Sequence, residues 1–514
     1  MKLSRRHFLR DVSRGLGCLA TAAALPRWLG EAEAASISGY AGYRAAVCVF
    51  LLGGNDSNNL LIPKLSTPYA QYKAARPNIG IANADLLTLN PIGQPAASYG
   101  LHPSLVKLQA LFEQEKAALV CNVGPLVLPM KKADYVTGAV ARPDNLFSHA
   151  DQQDAWASSI ANPSSISLPM ALIGKVTGWA GRTADKISGL NTGTQYPGVT
   201  SFGGKAIFSA GASKQPLIVS SNGTLGFRTS SDTGFNALYQ ESLTEVLKIH
   251  NDVTLQASYG GTFTTAQTFA SARTAAREAA WLLLPQATRE AIDALFVLPE
   301  GGSGWGLPGQ LYQVVRDLVA GATPAASGGL GLKRQVFSVG LGGFDTHTGQ
   351  DTAQSSLFKQ LDFALDAFHQ ALTVLRATTN FGATPPQTTL FTISDFGRTF
   401  VENSDKGTDH GWGSHMIVLG DRVAGKRLYG AFPNLDLTNG GANNLDTTDS
   451  RGRWIPSLTV DQYAYSVAAW LGLSTTAERD YVFPNLAAYV SAAAANQFPA
   501  DAQKTKIGFL LADP

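Results

Sequence analysis

The sequence predicts an α/β fold, a doubly wound and mostly parallel sheet covered by helices. Three observations predict it. Continuous apolar runs of strand length recur along the chain, helical runs alternate with them, and three of the apolar runs end in a loop that carries an aspartate. The chain has 514 residues, of which 45% are hydrophobic and only 15% charged. That is long enough to bury a large core without disulfides, and too apolar for wholesale disorder.

The first 34 residues read as an export leader. Ser4-Arg5-Arg6-His7-Phe8-Leu9-Arg10 is a twin-arginine pattern, and Gly15 to Leu25 is a mild apolar run too short to span a bilayer. Ala32-Glu33-Ala34 supplies a small-x-small cleavage site. Six basic and three acidic residues fall in this segment, so the formal +2 of the whole chain leaves a body near −1. Such a body offers phosphate backbones no net attraction, and no nucleic-acid partner is expected. No later run reaches the ~18 apolar residues of a membrane span. The expected product is soluble, periplasmic or secreted, delivered by the twin-arginine export machinery and without a stable membrane anchor. Beyond the leader only Cys48 and Cys121 remain, both in strand-like runs, and two buried, unpaired thiols are expected.

The elements follow in order. Residues 35 to 44 read as a lead-in. Ala45 to Leu52 is a fully buried parallel strand that ends in Gly53-Gly54-Asn55-Asp56. His102-Pro103-Ser104 opens a helix over Leu105 to Phe112, Ala117 to Val123 is a second strand, and Ser148 begins a helix over Ala150 to Ser158. From about 200 the chain turns rich in Ser, Thr, Gly and Ala, with helical runs at 238–250 and 266–284. Residues 201–330 are expected to form an inserted cap or side lobe, with 40–200 and 331–514 as the α/β core; membership of the main domain is the alternative. Strands resume over Gln335 to Leu341, ending in Gly342-Gly343-Phe344-Asp345, and over Thr388 to Ile393, ending in Ser394-Asp395. A helix separates them from Leu357 to Ala377. A further run, Met416 to Leu419, precedes a last helical region near Val460 to Leu471.

In an open α/β sheet, ligands bind beyond the carboxyl ends of the strands. Asp56, Asp345 and Asp395 are therefore expected to converge, and three carboxylates repel one another unless a cation or protons compensate. Asp345-Thr346-His347 puts both titratable side chains on one side if the backbone stays extended. The Gly-rich stretch from Thr408 to His415 can bring His410 and His415 to the same place. The expected ligands of one or two divalent ions are thus Asp56, Asp345, His347, Asp395, His410 and His415. Imidazole with carboxylate suits zinc, manganese or iron, whereas carboxylates alone suit calcium or magnesium. Each Asp taken singly fits a helix cap or turn equally well.

Ser148 is the candidate nucleophile, because backbone N–H groups at a helix start favour an anion there. Ser148-His149-Ala150-Asp151 reads equally as a capping pattern, and Ser57 is the reserve. Arg398 is placed to clamp an anionic oxygen, or else to pair with a nearby carboxylate. Asp395-Phe396-Gly397 has no kinase loops around it, and no GxGxxG dinucleotide fingerprint occurs.

Several motifs together resemble a family of exported bacterial proteins known as domain of unknown function 1501. They are the leader, Phe50-Leu51-Leu52-Gly53-Gly54-Asn55-Asp56-Ser57-Asn58-Asn59, Leu101-His102-Pro103, Ser148-His149, Gly178-Trp179-Ala180-Gly181-Arg182, Phe344-Asp345-Thr346-His347, Ser394-Asp395-Phe396-Gly397-Arg398-Thr399 and Gly407-Thr408-Asp409-His410-Gly411. The likeness runs from about 45 to 185 and from about 335 to 490. That family in turn resembles the alkaline phosphatase and sulfatase superfamily. The resemblance implies an alkaline-phosphatase-like sheet with one or two divalent metals at its carboxyl edge. It implies Asp56 as the first-strand ligand and Ser148 as nucleophile, Asp345 and His347 with His410 or His415 on one metal, and Asp395 on the other. Two positions depart from the superfamily: Phe396 follows Asp395 where a histidine is common, and Asp345-x-His347 replaces Asp-x-x-x-His. The implied function is a periplasmic, metal-dependent hydrolase of phosphate or sulfate esters, acting on an anionic small-molecule or polymer ester. The alternative is a non-catalytic exported binding or assembly protein on the same fold.

Overall fold

The computed structural model describes residues 42–167, 176–192, 194, 196–204, 206–220, 242, 245, 254–378 and 386–512. The export leader lies outside the described residues, as does nearly all of the helical run expected at 238–250.

Among the described residues, nine strands form one sheet: Arg44–Leu52 (β1), Ala117–Gly124 (β2), Val199–Ser201 (β3), Leu217–Ile218 (β4), Arg334–Gly342 (β5), Gln387–Ser394 (β6), Ser414–Gly420 (β7), Leu428–Tyr429 (β8) and Leu458–Thr459 (β9). Their order is β8-β2-β7-β6-β1-β5-β3-β4, with β9 also on β2. The pairings are parallel except where β7 runs against β2 and β6. The result is a mixed α/β architecture with a largely parallel central sheet. A small antiparallel sheet of Leu61–Pro63, Tyr99–Leu101 and Leu87–Leu89 stands beside it.

The helices that matter here are Ser66–Ala75 (α1), Val106–Glu113 (α2), His149–Ser158 (α3), Trp179–Ile187 (α4), Thr254–Leu282 (α5), Leu307–Ala322 (α6), Gln350–Arg376 (α7) and Val460–Leu471 (α8). Strand β1 explains how they are layered. Its side chains alternate between the two faces. Val47, Val49 and Leu51 join a cluster with Leu311 of α6 and Phe358 of α7, whereas Ala46, Cys48 and Phe50 join one with Trp179 of α4 and Val467 of α8. Along α7 the buried Phe358, Leu361, Leu365, Phe368, Leu372 and Leu375 alternate in steps of three and four. That spacing makes the apolar stripe of an amphipathic helix. Each such side chain contributes about 1.5–3 kcal/mol by leaving water. Within 201–330, helix α6 packs on β5 and α7, and its Leu311, Val314, Val315 and Leu318 belong to the main core. Cys48 and Cys121 are buried and unpaired. None of the described helices is long and apolar enough to cross a membrane.

The register fixes the functional edge. Leu52 stands opposite Gly342, and Leu51 opposite Ser394, so β5, β1 and β6 end level. Asp345, Asp56 and Asp395 all follow these ends within four residues.

Candidate metal centre

Asp395 directly follows β6 and its side chain is fully buried. Gly53 N–H donates to its Oδ1 at 3.2 Å, and Gln153 Nε2 donates to its Oδ2 at 2.8 Å. His149, the first residue of α3, places Nδ1 2.7 Å from the same Oδ2. A carboxylate only accepts, so this contact puts an imidazole proton on Nδ1, and in the neutral ring Nε2 is the acceptor.

Two more histidines are held the same way. His410 Nδ1 donates to the Phe147 carbonyl at 2.8 Å, and His347 Nδ1 lies 3.2 Å from Asp409 Oδ1. In both rings the free Nε2 then faces inward. The loop carrying His410 is fastened to the end of β6 by paired backbone bonds, Gly397 N–H to Trp412 O and Gly411 N–H to Gly397 O. The approach is close: a Cβ on Gly397 would lie 2.1 Å from the Gly413 carbonyl oxygen.

The three Nε2 atoms surround one oxygen. Asp345 Oδ1 lies 3.0 Å from His347 Nε2 and 3.4 Å from each of His149 Nε2 and His410 Nε2. His347 Nε2 and His410 Nε2 are themselves 3.1 Å apart. His149, Asp345 and His410 offer ligand atoms that all lie within 4.8 Å of one another, and His347 adjoins the last two. His149 Nε2 is buried and makes no hydrogen bond. With each ring neutral and its proton on Nδ1, the three Nε2 atoms would be acceptors turned on the Asp345 carboxylate oxygen, an arrangement that a cation relieves. Atoms sharing a tetrahedral ion at 2.0–2.1 Å sit about 3.3 Å apart, close to the separations found here. The donor set therefore fits zinc, manganese or iron better than calcium or magnesium. The side chains of Asp345 and His347 are 46% and 43% exposed, so the group opens to solvent.

Asp345 also accepts from Arg398 Nη1 at 2.9 Å. Partial burial pushes its carboxyl up, but the Arg398 bond and charge, aided by His149 and His347, outweigh that and hold it below the usual range. Burial pulls His410 down, the Phe147 carbonyl opposes this, and Arg398 and His149 add to the lowering. Phe396, completely buried, lies with its ring centre 4.8 Å from that of His149 and 4.6 Å from that of His410, an apolar wall beside both rings.

Of the six residues expected as ligands, the structure brings Asp345, His347 and His410 together and sets three aside. Asp395 is one bond removed, holding His149. Asp56 is spent on a salt bridge. Both of its oxygens accept from Arg76, at the end of α1, and Gln350 Nε2 and the Asn58 backbone and side chain complete its shell. Both partners of this ion pair are fully buried. His415 lies inside β7, where its Nδ1 accepts from Asn122 N–H at 3.0 Å and burial lowers its pKa to about 4. The extended conformation imagined for Asp345-Thr346-His347 is also replaced. Thr346 N–H bonds Phe344 O and His347 N–H bonds Asp345 O, so the backbone folds tightly and still brings the two side chains together.

Arg398, expected to clamp a ligand oxygen, has a fully buried side chain. It is committed to Asp345 and to the Thr408 hydroxyl and carbonyl, so it fixes a ligand in place and does not meet one from solvent. Ser148 stands between Phe147 and His149, two residues that touch the centre, and its hydroxyl donates to Asp151 at 2.6 Å. Sequence reasoning treated His149 only as the neighbour of a helix start; its first-turn position after Ser148 was the available signal. Nothing in the sequence pointed to Arg76.

Comparison with curated proteins and with solved structures returned no match. Residues 325–444, which carry β5, α7, β6 and β7 and with them Asp345, His347, Asp395, Arg398 and His410, match the family model described as "Protein of unknown function (DUF1501)".

Proposed function

We propose that this chain is a metal-dependent hydrolase of phosphate or sulfate esters, working in the periplasm or outside the cell on an alkaline-phosphatase-like sheet. One observation carries the reading: three Nε2 atoms, each on a ring whose Nδ1 faces an acceptor, meet a carboxylate oxygen at the open carboxyl edge. A divalent ion bound there would act as a Lewis acid on an ester oxygen. The chain's own residues do the rest. Asp395, Asp409 and the Phe147 carbonyl orient the imidazoles, Arg398 orients Asp345, and Ser148 at the start of α3 is the nucleophile.

The number of ions follows from the counter-charges. Asp56, the first-strand ligand that the superfamily resemblance implies, is already paired with a guanidinium, Arg76, and Phe396 follows Asp395, the residue implied for the other metal, where a histidine is common. One ion per chain is the expectation. Export rests on the twin-arginine pattern of Ser4 to Arg10.

The test is metal analysis of the protein folded before export, combined with a panel of phosphomonoesters, phosphodiesters and sulfate esters. One equivalent of metal, with turnover lost in Ser148→Ala, supports the proposal. Bound metal without turnover on any ester points instead to a non-catalytic binding protein. Absence of bound metal overturns both versions.

A further inference from the structure

We infer that Asp151 takes the proton from Ser148 when its hydroxyl attacks. The inference rests on the ester-hydrolase reading and adds to it the group that activates the nucleophile.

Two stretches of the chain share a capping pattern and adopt it differently. In Thr475-x-x-Glu478 the box closes: Thr475 Oγ1 accepts from Glu478 N–H at 3.2 Å, and Glu478 Oε2 accepts from Thr475 N–H at 2.9 Å. In Ser148-x-x-Asp151 neither bond forms. Ser148 N–H goes back to Asn145 O at 2.8 Å, and the Ser148 side chain makes no bond to the helix backbone. Its hydroxyl donates straight to Asp151 Oδ2 at 2.6 Å. This is the contact between a hydroxyl nucleophile and its base, at the distance proton transfer requires. Among the described residues no lysine or arginine forms an ion pair with Asp151, and the Ser148 hydroxyl is its partner.

Position points the same way. The residue before Ser148 gives its carbonyl to His410, and the residue after it is His149. Ser148 is therefore flanked on both sides by residues of the candidate centre. In the step itself the Ser148 Oγ–phosphorus (or sulfur) bond forms and the bond to the ester's alcohol oxygen breaks, that oxygen leaving with the electron pair. The Ser148 proton passes to Asp151 Oδ2 and then to the departing oxygen. In the second half water attacks phosphorus (or sulfur) and gives a proton to the same carboxylate, which passes it to Ser148 Oγ as the Oγ–phosphorus (or sulfur) bond breaks.

A fluorophosphonate tests this without requiring the natural substrate. It forms the same Oγ–phosphorus bond and expels fluoride, and mass spectrometry of the metal-loaded full chain reads the rate at Ser148. Asp151→Asn should slow labelling by about 10²-fold or more, the range of a lost general base. Asp151→Glu should recover most of the rate, with metal content and melting temperature unchanged in both. Labelling of Asp151→Asn at the wild-type rate, or no labelling of Ser148 in the metal-loaded wild type, overturns the inference. Metal content, measured on the same samples, judges the centre separately: a chain that binds no metal refutes the proposed hydrolase, whereas the labelling ratio judges Asp151.

Discussion

Replacing Asp56 by asparagine separates a ligand from a structural ion. The carboxylate receives Arg76 Nη1 and Gln350 Nε2 on one oxygen, and Arg76 Nη2 with the Asn58 backbone and side-chain N–H groups on the other. An amide has one acceptor oxygen, so whichever way the new side chain turns, its NH2 meets at least two donors. The two bonds lost went to a charged acceptor, worth about 1.5–3 kcal/mol each, and the Arg76 guanidinium stays buried without its counter-charge. Breaking a buried pair in this way costs about 3–5 kcal/mol. Arg76 keeps the Phe400 carbonyl at 2.7 Å and the Thr399 carbonyl at 2.9 Å, so the lower half of that range applies. For a chain of this length the unfolding entropy is about 1 kcal/mol per kelvin, which converts the loss into a melting temperature about 3–4 °C lower. Differential scanning calorimetry at one scan rate measures it, and metal analysis of the same preparation should find the wild-type content. Metal lost from a variant that melts normally would mean that Asp56 is a ligand after all and that the salt bridge was misread.

Two further outcomes are expected. Asp395→Asn removes the acceptor that fixes the His149 proton on Nδ1 and should weaken metal binding by about 10- to 100-fold with little change in folding. Titration against a chromophoric chelator reads this, and equal affinities would reject the orienting role. Asp461, at the start of α8 between Ser159 and Thr459, has its carboxyl pushed up to about 7 by burial. The folded chain therefore holds this proton more tightly than the unfolded one. The stability it lends is present below about 3.8 and is lost as pH rises through about 7. Asp461→Asn should gain on the wild type between pH 5 and pH 8, and a melting-temperature difference that ignores pH would contradict the burial argument.

The strands were legible because no charged residue interrupts them. Ala45 to Leu52 and Thr388 to Ile393 read as doubly buried, and each lies within its observed strand, with an aspartate just past the end. The direction of β7 was not legible, since an apolar run has the same composition either way round. The same limit governed the site. Asp345, His347 and His410 sit in short motifs whose chemistry shows locally. The fate of Asp56 depends on Arg76, twenty positions along and at the end of a helix, and a one-dimensional pattern does not reveal that a guanidinium has already satisfied a carboxylate. His410 and His415 occupy one loop in the sequence. In the structure His415 has entered β7, where pleating and burial make it a neutral core residue.

The reversed strand has a consequence for the order of assembly. Because β7 enters the sheet at the carboxyl rim, the connection 395–413 that joins β6 to β7 contributes Asp395, Arg398 and His410 from one continuous stretch. Closing this loop costs less entropy than closing the longer ones that bring in the other partners. The remaining partners are distant, with Asp345 53 positions from Arg398 and His149 246 from Asp395. Such contacts form late in a folding reaction. The candidate centre is thus complete only once α3 has docked, and a metal bound there would report finished tertiary structure.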